Sequence, residues 1–267
     1  MKKRLLGALF IIIVFVPLII IGGVFYAIGV GLLAMLAYHE MIFLKSTSEK
    51  PLPMLVVFLG LISLILLTYS NYDGNNLVLG VNYQIMAAVT IMMLVPTVFY
   101  HKEGQYTGTR ALKLLGLIVF LGISFNLFIS TFTYNSMIFL YLISISMFTD
   151  TFAYLSGVLI GKHKCAPSIS PKKSWEGCIV GSFLGTISAT FIYVNFVDGD
   201  INIITIIIIT LFLSILGQLG DLFFSAMKRE YSIKDYSKLI PGHGGVLDRF
   251  DNFIFVLLGY LLFYLYL

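Results

Sequence analysis

Residues 221–251 form a polar stretch that is rich in charged residues and lies between two apolar runs. The stretch contains five acids and five bases: Asp221, Glu230, Asp235, Asp248, Asp251, Lys228, Arg229, Lys234, Lys238 and Arg249. Carboxylates are hard oxygen ligands of the kind that Mg²⁺ prefers. Basic side chains and backbone N–H groups hold phosphate oxygens. The stretch therefore predicts a site that binds a phosphate compound together with a divalent metal ion.

Two smaller patterns lie at the C-terminal end of this stretch. Asp248 and Asp251 are three residues apart at the start of an apolar run, so on a helix they share one face near its N-terminus, where acids are favoured. Helix capping alone would explain one of the two acids. The residues Pro241, Gly242, Gly244 and Gly245 predict a turn whose backbone can approach an anion, although the turn is weak evidence by itself.

The spacing of the stretch resembles that of a known family. From Ser225 to Asp251 it reads S-x-x-K-R-x4-K-D-x-S-x-x-I-P-G-H-G-G-x-x-D-R-x-D, similar to the signature of the phosphatidate cytidylyltransferases, also called CDP-diacylglycerol synthases. Residues 150–164, DTFAYLSGVLIGKHK, and 170–177, SPKKSWEG, resemble two further segments of that family. Ser174 stands where the family more often has Thr, and Val158 where an Arg is frequent. The first half of the chain resembles the family only in being hydrophobic.

The resemblance implies that CTP and phosphatidate react to give CDP-diacylglycerol and pyrophosphate, with Mg²⁺ as cofactor. We expect Asp221 and Asp248 to bind the metal ion, with Asp251 as a further ligand. His243 is expected to contact phosphate or position the loop, because a phosphate monoester is already anionic at pH 7 and needs no general base. The expected catalytic residues are Asp221, Asp248, Lys172, Lys173 and Arg229. The expected substrate-binding residues are Ser170, Ser225, Lys228, Lys234, Asp235, Gly242, His243, Gly244, Gly245, Arg249, Asp150 and Tyr154.

The composition places the chain in a lipid bilayer. Of its 267 residues, 59% are hydrophobic and 11% are charged, whereas a soluble domain carries about 25% charged residues. The mean hydropathy is +0.97. A net charge of +4 does not require a nucleic acid partner, and two cysteines imply no disulfide framework.

The apolar runs predict an all-α, polytopic membrane protein with about nine transmembrane helices. We treat the chain as one transmembrane domain, in which helices within 1–135 form a scaffold and 136–267 carry the catalytic helices and loops. The glycines at positions 177, 181 and 185 predict close packing of the seventh helix against a neighbour. Glu40, near the end of the second helix, is expected to extend to the membrane interface. The predicted helices are Leu5–Ile21, Val24–Leu44, Met54–Tyr69, Leu77–Tyr100, Ala111–Thr131, Ser136–Ile160, Gly177–Val197, Ile201–Met227 and Phe250–Leu267.

The distribution of basic residues predicts the orientation of these helices. All 17 Lys and Arg lie in alternate loops, namely 1–4, 45–53, 101–113, 161–176 and 228–249. Since basic loops face the cytoplasm, the N-terminus and the site are expected on the cytoplasmic side of the cell membrane. The expected partners are then CTP, phosphatidate and the lipid bilayer. The sequence does not determine the oligomeric state, and a homodimer is one possibility.

Two acids are predicted to lie inside the membrane. Asp221 lies seven residues before Lys228, so ~10 Å along a helix, and Gln218, Asp221, Ser225 and Lys228 share one helical face. Asp150 is predicted to lie deeper still. Charged groups at such depth are costly and usually functional, although a structural salt bridge or a buried hydrogen-bonded pair would also explain them. Two other functions are alternatives to phosphatidate cytidylyltransferase activity. Acids inside the membrane are also typical of an ion-coupled transporter, and a cytidylyltransferase could act on another lipid phosphate.

Overall fold

A computed structural model describes residues 16–44, 50–70, 82–102, 104–197, 201–240, 242 and 244–264. The chain divides into two compact units. The first comprises Met1–Tyr134 together with Tyr236–Val246, and the second comprises Asn135–Asp235 together with Leu247–Leu267. The Gly-rich turn and Lys238 therefore belong to the first unit, whereas the other acids and bases of the polar stretch belong to the second.

Helices make up the first unit. They are α1 (Gly23–Ile42), α2 (Met54–Thr68), α3 (Tyr83–Leu94), α4 (Pro96–Tyr100) and α5 (Gly108–Tyr134). α3 begins where the Asn82 side chain accepts hydrogen bonds from two backbone N–H groups of the first turn, a typical N-cap. Pro96 lacks a backbone N–H, so α3 ends before it and α4 begins with it. The predicted helix Leu77–Tyr100 is thus two helices over its described residues.

The second unit carries the long helices and a small sheet. Its elements are α6 (Ser136–Ile160), β1 (Lys164–Ala166), β2 (Ser170–Ser174), α7 (Trp175–Phe196), α8 (Ile203–Glu230) and α9 (Leu247–Phe263). Asn135, Ser174 and Asn202 cap α6, α7 and α8 through their side-chain oxygens. α9 packs against α8, and α8 packs against α7 and α6.

The described residues include six helices long and apolar enough to cross a membrane. They are α1, the α3–α4 pair, α5, α6, α7 and α8, and α2 is a shorter apolar helix. The multi-pass prediction is confirmed at this level. Residues 5–15 of the first predicted span lie outside the described residues, and its residues 16–21 are helical.

The prediction of a purely helical chain needs one correction. β1 and β2 form an antiparallel hairpin in which Lys164 pairs with Ser174 and Ala166 pairs with Ser170. The hairpin lies in the basic loop that the sequence predicts between the sixth and seventh helices. Strands of three and five residues lack the alternating apolar pattern from which a strand is predicted.

The glycine pattern of the seventh predicted helix is confirmed as a packing feature. A Cβ at Gly181 would lie 2.6 Å from Ala153 Cβ, and one at Gly185 would lie 2.6 Å from Thr149 Oγ1. At Gly177 a Cβ would lie 2.8 Å from the Ala153 carbonyl oxygen. Since such separations are below van der Waals contact, only glycine allows α7 to approach α6 this closely.

Candidate active site

Lys173 and Asp221 form an ion pair that joins the hairpin to α8. The Lys173 ammonium lies 2.6 Å from Asp221 Oδ2, and the two side chains are 17% and 28% exposed. Lys173 also donates to the Gln218 carbonyl oxygen at 3.2 Å. A partly accessible pair can exchange its partner for another ion, because neither charge is sealed from an entering ligand.

A second ion pair joins α8 to α9 and is more deeply buried. Lys228 Nζ donates to Asp248 Oδ1 at 2.8 Å, and the side chains are only 9% and 4% exposed. Removal of one partner from such a pair leaves an uncompensated buried charge, which is strongly destabilising. Both ion pairs connect a lysine with an acid from the candidate metal-binding set.

Electrostatic interactions connect the remaining acids of the second unit with these ion pairs. The charge of Asp251 interacts with those of Asp221, Asp150 and Lys228. Asp150, midway along α6, interacts with Asp221, Lys173 and Arg249 and is exposed although it lies in a membrane-spanning helix. Mutual repulsion between carboxylates favours a site that takes up positive charge. The second unit therefore contains an acidic cluster, defined here as Asp150, Asp221 and Asp251, with Asp248 held by Lys228 beside it.

The hairpin is held so that the two lysines of β2 differ in their surroundings. Lys172 is exposed, Lys173 is half-buried and Ser174 is buried. Ser174 Oγ accepts from the Gly177 N–H at 3.2 Å, which begins α7. Glu176 accepts from the backbone N–H of His163 at 3.2 Å and lies 2.5 Å from His163 Nδ1. Both ends of the hairpin are thus fixed to the first turn of α7, and Lys173 is directed to α8.

The α8 face that carries Asp221 is positioned by hydrogen bonds to α7. Gln218 is buried and donates through Nε2 to Ser182 Oγ at 2.6 Å and to the Cys178 carbonyl oxygen at 3.0 Å. Ser225, one turn after Asp221, is also buried. The predicted polar face of Gln218, Asp221, Ser225 and Lys228 is therefore real, and it is directed to other helices of the second unit.

The other predicted site residues of the second unit form no part of the two ion pairs. Arg229 donates to the carbonyl oxygens of Ile169 at 3.1 Å and Ile233 at 2.9 Å, which fixes the end of α8 to the hairpin turn. Ser170 is half-buried where β2 begins. The exposed members of the predicted set are Tyr154, Lys172, Arg229, Lys234, Asp235 and Arg249, and they are accessible to a ligand.

The Gly-rich turn is a compact structure within the first unit. The N–H of Ile240 donates to the Gly244 carbonyl oxygen at 2.9 Å, and Gly242 and Gly244 have φ values of 78° and 82°, which glycine adopts without strain. Gly245 is buried. Two predicted residues, Pro241 and His243, lie outside the described residues.

Sequence reasoning missed Glu40, which holds this turn in the first unit. The side chain is 5% exposed and binds the backbone N–H of Val246 and the Ser237 hydroxyl. The prediction that Glu40 extends to the interface is wrong, because its carboxylate is occupied by these donors. Glu40 lies about 200 positions before its partners, so a pattern in the local sequence could not have indicated the contact.

The carboxylates of the site are of the kind that binds Mg²⁺ together with the phosphates of a substrate. Within the described ranges, no group of three or more Asp, Glu, His or Cys side chains forms a preassembled metal cage. Lys173 and Lys228 are bound to Asp221 and Asp248, so ammonium groups occupy positions beside these acids. Mg²⁺ is usually bound by one or two carboxylates plus waters and substrate phosphates, so such a cage is not required.

The geometry defines a polytopic helical membrane protein with a charged site built from several helices and a hairpin. The sequence profile of the cytidylyltransferase family matches residues 2–267. Among curated proteins, the phosphatidate cytidylyltransferase of Staphylococcus haemolyticus (strain JCSC1435) is 35% identical over 257 residues, which is 96% of each chain. The protein of the same name from Staphylococcus aureus (strain COL) is 36% identical over the same shares. This chain belongs to the cytidylyltransferase family.

Proposed function

We propose that this protein transfers the cytidylyl group of CTP to phosphatidate, giving CDP-diacylglycerol and pyrophosphate in phospholipid synthesis. The observation that carries the proposal is the charged site of the second unit, in which two lysine–aspartate pairs lie beside further carboxylates. The names of the relatives, 35–36% identical over 96% of the chain, supply the substrates.

In this reaction the protein contributes mainly by positioning the two substrates and neutralising their charge, and it forms no covalent bond to them. The phosphate of phosphatidate is anionic at pH 7, and one of its oxygens forms a bond to the α-phosphorus of CTP. The bond from that phosphorus to the pyrophosphate oxygen breaks, and pyrophosphate leaves with its electron pair. Lysine and arginine side chains near both groups reduce the repulsion between the anions and hold them in line. We assign this role to Lys172, Lys173, Lys228 and Arg229.

We further propose that Asp221 and Asp248 bind Mg²⁺, with Asp251 beside them. The ion would neutralise phosphate oxygens and orient the triphosphate when bound. In the structure, Lys173 Nζ lies 2.6 Å from Asp221 Oδ2, and Lys228 Nζ lies 2.8 Å from Asp248 Oδ1. On ligand binding each ammonium group exchanges its carboxylate for a phosphate oxygen, so the lysines act first as counter-charges and then as substrate contacts.

We propose about nine membrane spans, with the N-terminus and the active site on the cytoplasmic side of the cell membrane. The support is the alternation of loops, of which one set contains all 17 Lys and Arg. This orientation gives the site access to cytoplasmic CTP. Asp150, exposed within α6, suits a polar cavity that is open to lipid headgroups while acyl chains stay in the bilayer.

The decisive experiment incubates purified protein with Mg²⁺, CTP radiolabelled at its α-phosphate, and one lipid phosphate at a time. We expect labelled CDP-diacylglycerol with phosphatidate and no labelled lipid with a polyprenyl phosphate. Asp221→Asn should reduce the rate by at least ~10²-fold, as for removal of a charge-stabilising group. Glu230→Gln is the matched control, because Glu230 is exposed at the end of α8 outside the site. Label transferred only to the polyprenyl phosphate would instead show a different lipid acceptor.

A further inference from the structure

One buried carboxylate of the first unit holds both ends of the segment that contains the Gly-rich turn. Glu40 Oε1 accepts from the Ser237 hydroxyl at 2.7 Å and from the Val246 N–H at 2.8 Å. The Ser237 hydroxyl oxygen also accepts from the Leu239 N–H at 3.2 Å. One oxygen atom of α1 therefore holds both Ser237 and Val246, which bound a segment here called the clasped loop (described residues 237–240, 242 and 244–246).

The fit around the carboxylate is tight. A Cβ at Gly245 would lie 2.2 Å from Glu40 Oε1 and 2.5 Å from its carboxyl carbon. Gly245 is therefore required for Glu40 to approach the backbone, independently of any phosphate contact. This gives the last glycine of the Gly-rich motif a role that differs from those of Gly242 and Gly244, which have positive φ values.

The position of Glu40 is unfavourable for a carboxylate unless it has a specific task. It lies three positions before Phe43, the C-cap of α1, where the helix dipole disfavours negative charge. It is also 5% exposed, and a buried carboxylate is costly without hydrogen-bond donors. Ser237 and Val246 supply such donors, and hydrogen bonds to a charged acceptor are stronger than those between neutral groups.

We propose that Glu40 is a positioning residue that sets the geometry of the clasped loop for binding of the CTP triphosphate. The inference rests on the proposed function for the identity of the ligand. Val246 precedes Leu247, the first residue of α9, and Asp248 follows directly. A fixed Val246 N–H therefore limits the backbone conformations that are open to the residues at which α9 begins, so Glu40 acts through the loop.

The test compares Glu40→Ala, Glu40→Gln and Tyr38→Phe in purified, full-length protein. Tyr38 is a buried residue on the same helix whose hydroxyl donates to the Val57 carbonyl oxygen at 3.0 Å. Tyr38→Phe removes one hydrogen bond of the first unit but leaves the clasped loop intact. We expect Glu40→Ala to raise the KM for CTP about 10-fold or more, since two bonds to a charged acceptor are lost. Glu40→Gln should have a smaller effect, because its amide oxygen still accepts.

A merely structural role would lower Tm and the amount of folded protein without changing KM. Tyr38→Phe provides that reference: a lower Tm with an unchanged KM. If Glu40→Ala shows the same result, the positioning role is overturned.

Hydrogen exchange at the Val246 amide gives a readout that does not depend on activity. We expect exchange at this amide to accelerate in Glu40→Ala and to stay slow in Tyr38→Phe, because only the first change removes its acceptor. Slow exchange in Glu40→Ala would overturn the proposal. If wild-type protein transfers no cytidylyl group, the proposed function fails, and the exchange data still decide whether Glu40 holds the loop.

Discussion

At the scale of single residues, the central feature is that each acid proposed to bind metal already has a lysine beside it. Lys173 holds Asp221 and Lys228 holds Asp248. The carboxylates of Asp150, Asp221 and Asp251 would otherwise repel one another in surroundings of low dielectric constant. The ammonium groups reduce this cost in the free protein, and under the proposed function they would contact phosphate oxygens once a metal ion is bound.

This arrangement leads to a prediction about Asp221→Asn, Asp248→Asn and the double variant. If both acids bind one Mg²⁺, either change spoils the same metal site, so the double variant should lose little more activity than the worse single variant. Raised Mg²⁺ should partly restore each single variant. The measurement is the initial rate against Mg²⁺ concentration at saturating CTP.

The stability of the same variants must be measured in parallel. Asp248→Asn leaves Lys228 charged and buried, so we expect a loss of about 3–5 kcal/mol in the free energy of unfolding. Asp221→Asn should cost much less, because its pair is partly exposed. Additive losses in the logarithm of the rate, with an unchanged response to Mg²⁺, would contradict the shared-metal hypothesis and leave both pairs as structural salt bridges.

At the scale of elements, helices were predictable to the extent that their sequences are continuous and apolar. Ser136–Ile160 has the predicted bounds, and Met54–Thr68 differs by one residue. α9 begins at Leu247, three residues before the predicted Phe250, and α7 begins at Trp175, two residues before the predicted Gly177. Both helices begin with a polar turn, so their apolar runs start later than their backbone hydrogen bonds.

The candidate site was predictable by residue type but not by partner. Motif spacing identified Asp221, Asp248, Lys173 and Lys228 as site residues, and the structure brings them together as two specific pairs. The pairing of Lys173 with Asp221 depends on the hairpin, which the loop sequence does not indicate. Glu40 depends on a contact across most of the chain length.

The close packing of α6 and α7 yields the next prediction. Gly181→Ala would place a Cβ 2.6 Å from Ala153 Cβ, and we expect such overpacking to cost about 1–3 kcal/mol. Because α6 carries Asp150, activity should fall as well. Thermal unfolding and the cytidylyl-transfer rate are the measurements.

Gly116→Ala is the matched control for this change. Gly116 lies within α5, and a Cβ there would meet no atom within 4 Å. Alanine favours a helix by up to about 1 kcal/mol over glycine, so this variant should be at least as stable as wild type. Equal stability of Gly181→Ala and Gly116→Ala would show that the α6–α7 approach is not tight.

At the scale of the whole molecule, the proposed orientation depends on where the basic loops lie. Within the described residues, Lys173, Lys228 and Arg229 belong to loops or helix ends of the basic set. The positive-inside rule favours a cytoplasmic location for these loops, and the proposed orientation would give the site access to cytoplasmic CTP. The orientation therefore connects the distribution of charge along the chain with the chemistry of the site.

Cysteine labelling in intact cells tests this orientation. We expect cysteines that replace Asn75 and Gly199 to react with a membrane-impermeant reagent, and those that replace Ser48 and Ser168 to react only after the cells are opened. Wild-type protein, with Cys165 and Cys178 alone, gives the background. Labelling of position 168 from outside would contradict the cytoplasmic location of the site.

The division of the chain restricts how such a gene can be recombined. Residues 236–246 group with the first unit although they lie within the sequence of the second, so no single crossover separates the two. An exchange at residue 134 between two diverged relatives would combine Glu40 of one parent with Ser237 and Gly245 of the other. A chimera of this kind should keep the parental KM for CTP only when both parents have an acid at position 40, a hydroxyl at position 237 and a glycine at position 245, so these three positions should change together.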